Sequence, residues 1–133
     1  MSTESAKHAD QPAPSARDVA EAAALLVPAT SAGMPPTAQL FWAVVASNGV
    51  LNRGFGVVSS TRIAVGQYQV VFSHDVTRSA YVGSIGLTGA VGASPSGEIA
   101  VVGRFGVPNG VFVQTFTSAG AAADRAFHLT ISS

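Results

Sequence analysis

The 133-residue sequence contains no cysteine. That excludes a disulfide framework and a thiolate nucleophile, and it removes the usual ligands of structural zinc. Charge is also scarce: Asp, Glu, Lys and Arg make up 11% of the chain, against roughly a quarter in an ordinary soluble domain. Seven basic residues cancel seven acidic ones, so the chain lacks the positive field that dominates nucleic-acid binding and attraction to anionic membranes. Nucleic acid is therefore not an expected partner. The longest N-terminal apolar stretch, Ala22 to Val27, follows Asp18 and Glu21 instead of a basic region and is far too short to cross a bilayer. No signal peptide, transmembrane segment or membrane insertion is expected. With no Asn-x-Ser/Thr acceptor either, the expected location is cytoplasmic or within a virion or similar assembly.

Catalytic motifs are missing as well. Nucleophilic catalysis by serine needs the hydroxyl beside a base on a strained turn, and no G-x-S-x-G occurs. The Gly92 to Gly97 segment lacks the lysine that would make it a phosphate cradle. The chain is not expected to be an enzyme or to carry a cofactor.

What is present divides into two parts, and the length fits one domain with an appendage. Residues 1–36 are rich in Ala, Ser, Pro and charge and read as a flexible arm. Within it, Ser15 and Asp18 have capping-box spacing, which predicts a short helix over about 16–27 ended by Pro28. Val19, Ala22, Ala23 and Leu26 would share one face. So short a helix is marginal in water and must dock on something. Ala29 to Pro36 reads as a Pro/Gly linker.

Residues 37–133 show short runs of β-branched and aromatic residues cut by Gly, Asn and Pro, the pattern of an antiparallel β-sandwich of jelly-roll type with about seven or eight strands. Asn48-Gly49 predicts a hairpin with a type I′ turn, Pro108-Asn109-Gly110 a second reversal, and Gly89 to Gly97 a longer loop. In YQVVF, Tyr68, Val70 and Phe72 share a face; in FHLTISS, Phe127, Leu129 and Ile131 oppose His128, Thr130 and Ser132. LFWAVV, residues 40–45, is apolar on both faces, which calls for a second cover from the arm helix or a neighbouring subunit. The whole 37–133 region lacks lysine, the common device against edge-to-edge pairing. A homo-oligomer, a trimer first, satisfies these observations.

The G-x-Y-x-V-x-F stretch at Gly66 to Phe72, the Ala80-Tyr81 pair, Pro108-Asn109-Gly110 with VFVQT, and Asp124-Arg125-Ala126-Phe127-His128-Leu129 resemble a small β-domain of uncharacterised actinobacterial proteins, over roughly Ala43 to the end. They are more loosely similar to trimeric jelly-roll heads of the C1q type and to phage-fibre tips. The resemblance implies a compact β module at the end of an arm, in a surface-display or fibre-like role without catalysis. It also implies that cysteines often stand where this chain has Ser79 and Ser132 or Ser133. Loss of such a disulfide would remove about 2–4 kcal/mol and leave more to contacts between copies.

Two clusters carry atoms suited to a metal or to acid-base work, His74 with Asp75 and Asp124 with His128. Solvated polar residues at strand ends are the preferred reading, and no metal is expected. For His128 a cross-strand hydrogen bond is expected, with a pH-dependent place on a threefold axis as the alternative. Trp42, Tyr81 and Arg104 are the candidate ligand-binding residues, the two rings as a sugar platform and the arginine as a fork for acidic groups. Most other aromatics belong to the core. The resulting expectation is a non-catalytic structural or display module that self-assembles and is tethered to a larger protein assembly through residues 1–36. The alternatives are a carbohydrate-binding module and an enzyme with a site at a subunit interface.

Overall fold

The computed structural model describes residues 11–25 and 40–132. The helix α1 spans Ala16–Ala24, and its capping box forms as expected: Ser15 Oγ accepts from the Asp18 amide at 3.0 Å and Asp18 Oδ2 from the Ser15 amide at 3.3 Å. Residues 26 and 27 of the anticipated helix, the rest of the 26–36 stretch and residues 1–10 lie outside the described residues.

Eight strands follow: β1 Leu40–Val45, β2 Leu51–Phe55, β3 Val57–Ala64, β4 Gln67–Phe72, β5 Ala80–Ile85, β6 Glu98–Gly103, β7 Gly110–Phe116 and β8 Phe127–Ser132. They form two four-stranded antiparallel sheets, β2-β1-β8-β5 and β3-β4-β7-β6, packed as a sandwich. The first and last strands pair, β1 with β8, in the first sheet, and β4 pairs with β7 in the second. This nesting puts the most buried strands at the centres of both sheets.

Period-two alternation then sets the core. Phe41, Ala43 and Val45 of β1 and Phe127, Leu129 and Ile131 of β8 face Tyr68, Val70 and Phe72 of β4 and Val111 and Val113 of β7. Tyr68 meets Phe127 edge-on at 5.1 Å between centroids. The tyrosine hydroxyl escapes the apolar layer by donating to the Ser47 carbonyl at 2.7 Å, as a buried phenol must.

The 48–49 hairpin forms, but not with the expected turn. Type I′ needs positive φ at both turn residues, and Gly49 alone has it, at 89°. The register shifts between Val44 and Val45, and the Gly49 amide donates back to Ala46 at 2.8 Å while Ala46 donates to Val50 at 2.9 Å. The loop is thus one residue longer, and a Cβ at Gly49 would stand 2.5 Å from the Arg62 amide nitrogen.

The helix lies on the second sheet. Ala22 and Val19 pack on Val71 and Val107, so α1 does not cover LFWAVV, which belongs to the first sheet. Val44 is nonetheless buried, between Arg53 and His128 in register, whereas Leu40 on the same outer face is open to solvent.

Candidate functional site

The two outer faces of the sandwich meet different fates, and the candidate sites follow from that division. On the second sheet, Gln69, Val71 and Phe112 point away from the core because their neighbours Tyr68, Val70, Val111 and Val113 point into it. Residues 11–25 cover this face. Arg104 sits just past β6, lays its guanidinium over the Phe112 ring at 5.6 Å, and is only 5% exposed. Its Nε donates to Gln69 Oε1 at 2.6 Å, and its Nη1 to Gln11 Oε1 at 3.0 Å and the Pro12 carbonyl at 2.6 Å. Burial lowers its pKa, partly offset by Asp18, yet a guanidinium stays charged. No carboxylate is seen within salt-bridge distance of Arg104 among the described residues, so neutral oxygens hold the buried charge.

Ten residues further along the arm, Asn109 Nδ2 donates to the Ala22 and Phe72 carbonyls, both at 2.9 Å. Asn109 is fully buried and its Oδ1 has no partner. Together Arg104 and Asn109 clasp the arm at both ends. Arg104, expected as a ligand-binding fork, is turned into this contact, with Nε engaged by Gln69 and Nη1 by the arm. The place of Asn109 in the 108–110 reversal gives no sequence signal of its second role here.

The other sequence candidates scatter. Tyr81 lies on the inner side of β5, packed against the core, and donates its hydroxyl to the Val76 carbonyl at 2.6 Å; it is therefore not beside Trp42 on an exposed platform. Trp42 stands half-buried on the outer face of the first sheet, opposite Phe55 and Thr130 in register. His74 stacks on Phe41 at 5.3 Å and shares a hydrogen bond with Ser73 Oγ. His128 points outward and is bonded to the Leu87 carbonyl at 3.0 Å, just beyond the neighbouring strand β5. Asp75 turns back onto Thr77. Asp124 accepts from Arg62 Nε at 2.9 Å and from the Gly66 amide at 2.8 Å. These groups do not converge, and no cluster of three potential metal ligands occurs among the described residues.

The crevices beside the arm, about 80 and 170 Å³, fall below the usual size of a small-molecule site. A wider trough of about 500 Å³ runs between Gly83–Ile85 of β5 and the 94–99 segment. No helix among the described residues is long and apolar enough to cross a membrane.

No family model matches the chain, and neither a curated protein nor a solved structure matches it significantly.

The remaining feature is the outer face of the first sheet. Leu40, Phe55 and Val82 are 56%, 61% and 62% exposed, and Phe55, Trp42, Thr130 and Val82 form one row across four strands. Arg53 lies one row away, and its Nη1 is bonded to the Thr88 carbonyl and Asn52.

Two outcomes are expected. Arg104→Ala removes three charge-assisted hydrogen bonds and bares Phe112; it should lower unfolding free energy by about 2–4 kcal/mol in urea titrations. The hydrogen bonds from Thr77 to Asp75, and from Arg62 and Gly66 to Asp124, hold both carboxyls below their ordinary value of 3.8. Their stabilisation is then complete above that value and lost as pH falls through the lowered folded-state pKa. Melting temperature should drop on acidification below about pH 4, and Asp124→Asn should flatten part of that fall.

Proposed function

We propose that the chain is a non-catalytic structural or display module that self-assembles, with three copies in a ring as the first arrangement. The observation that carries this is the outer face of the first sheet, where Leu40, Phe55 and Val82 stand exposed around Trp42 and Arg53 is the one Arg, Lys, Asp or Glu in the sheet's four strands. Covering such a face removes apolar surface from water at about 25 cal/mol per Å², and Arg53 is already bonded to the Thr88 carbonyl and Asn52.

A second surface supports a ring over a two-fold dimer. Strands β5 and β6 end their sheets side by side, and their sequences AYVGSI and EIAVVG hold a single charge, Glu98. Neither proline nor lysine guards these edges. Two unlike adhesive surfaces, an edge and a face, suit a head-to-tail contact, and head-to-tail contacts close into rings when the rotation allows. The tether to a larger assembly lies in residues 1–36, of which 11–25 rest on the second sheet.

A carbohydrate-binding module is the second reading, favoured by Trp42 and Phe55 side by side in register on an open face with Thr130 adjacent. Light scattering separates the two. Self-assembly predicts a constant multiple of the 13.4 kDa chain mass over a range of concentrations, reduced to a monomer by Val82→Lys, a change at an exposed side chain. A wild-type monomer that binds oligosaccharide, and loses it with Trp42→Ala, would overturn assembly in favour of the lectin reading.

A further inference from the structure

Strand β6 presents backbone groups that its own sheet does not pair. The Arg104 amide donates to the Gly110 carbonyl at 3.0 Å, so these two residues form a hydrogen-bonded pair. Alternation along an antiparallel ladder then makes Val102 with Phe112, Ala100 with Gln114 and Glu98 with Phe116 the other such pairs. The amides and carbonyls of Ile99, Val101 and Gly103 therefore point away from β7, to the open side of the sheet. Among the described residues no backbone hydrogen bond reaches those of Ile99 or Val101. The far edge of the same sheet is built differently: β3 breaks its register between Val57 and Ser59 and again between Arg62 and Ala64, and such irregularities protect an edge. Pairing of β6 runs unbroken, and the strand holds neither proline nor lysine.

How this edge takes a partner is visible at its C-terminal end. Gln11 Nε2 donates to the Gly103 carbonyl at 3.0 Å, and Gln11 Oε1 accepts from the Phe105 amide at 3.1 Å. A residue of an added parallel strand opposite Arg104 would make the same two bonds with its own N–H and C=O. The side-chain amide thus fills one rung of the ladder, and the rungs at Ile99 and Val101 stay open. Room for more chain lies beside them, in the trough of about 500 Å³ lined by Gly83 and the half-buried Ile85 and Ile99 together with Ser84, Ser94 and Ser96. The open stretch is short. Gln11 closes it at one end, and at the other stands the 94–97 segment, whose Ser96 carbonyl accepts from Arg125 Nε at 3.2 Å. A single extended chain enters such a gap more readily than the edge of a second folded sheet.

We propose that the β6 edge is a strand-acceptor site for an extended, uncharged peptide segment of another protein, bound through the backbone of Ile99 and Val101. In strand addition the main-chain bonds supply affinity and alternate side chains supply specificity. Small or β-branched apolar residues at alternate positions of the segment would enter the trough beside Ile85 and Ile99, with hydroxyls of the serines around them. The site goes beyond the self-assembly reading and does not rest on it, although a neighbouring copy docked on the β5–β6 side would contend with the peptide.

The probe is a capped peptide of β6's length that alternates valine and serine, titrated into the full-length Val82→Lys chain and followed by residue-resolved amide exchange. Without peptide, the Ile99 and Val101 amides should exchange quickly, while those of Ala100 and Val102, bonded to β7, exchange slowly. Saturating peptide should slow Ile99 and Val101 by about tenfold or more, and the same peptide methylated at every amide nitrogen should not. Val101→Pro removes one outward donor and no bond to β7; with its fold checked by melting, it should weaken binding by about tenfold. No slowing at millimolar peptide, or equal slowing by the methylated peptide, overturns the proposal. Protection of Ile99 and Val101 that grows with protein concentration in the absence of peptide overturns it in favour of a second copy on this edge. If light scattering shows the wild-type chain to be a monomer, self-assembly fails by itself, and the titration, run on that chain, decides the strand-acceptor site separately.

Discussion

A four-stranded sheet has two faces, and in a two-layer sandwich the opposite sheet covers only one of them. Everything distinctive about this molecule follows from how the other two faces are treated. The inner faces meet through Tyr68, Phe72, Phe127 and the aliphatic residues around them. The second sheet's outer face carries Val71 and Phe112, both buried, because the chain folds its own arm back over them. The first sheet's outer face carries Leu40, Phe55 and Val82, exposed to water.

The arm shows how a segment with little apolar surface is held. Its nine-residue helix is too short to persist by propensity, and its buried face offers only alanine and valine. Arg104 and Asn109 add directional bonds in a place where water is excluded, and such bonds matter most when the alternative is an unpartnered buried group. Stacking of the guanidinium on Phe112 lets a charge sit against an apolar ring. Asn109 serves the fold twice: its carbonyl accepts from Phe72 to continue the sheet, and its side chain caps the Ala22 carbonyl.

Much of this was legible in residue pattern. Alternation in YQVVF and FHLTIS identified the core residues correctly because side chains on a strand must alternate. Ser15 and Asp18 announced the helix start because their geometry is local. What was not legible depended on strand order. LFWAVV looked doubly covered, yet Val44 is enclosed between Arg53 and His128 while the helix lies on the opposite sheet. Tyr81 and Arg104 looked like surface groups because nothing in a sequence says that a hydroxyl will reach back to Val76 or that residues 11 and 12 will meet residue 104. Asn48-Gly49 predicts a two-residue turn, and the loop is one residue longer, with the register shifted between Val44 and Val45.

The central claim is that one outer face is satisfied within the chain and the other by a second copy. Amide hydrogen exchange, followed residue by residue at rising protein concentration, tests it most directly. The account predicts growing protection along β5, Ala80–Ile85, with none gained at Val71 or Val107, which stay covered at every concentration. Protection along β5 that is independent of concentration, at concentrations spanning the micromolar to millimolar range, would contradict it.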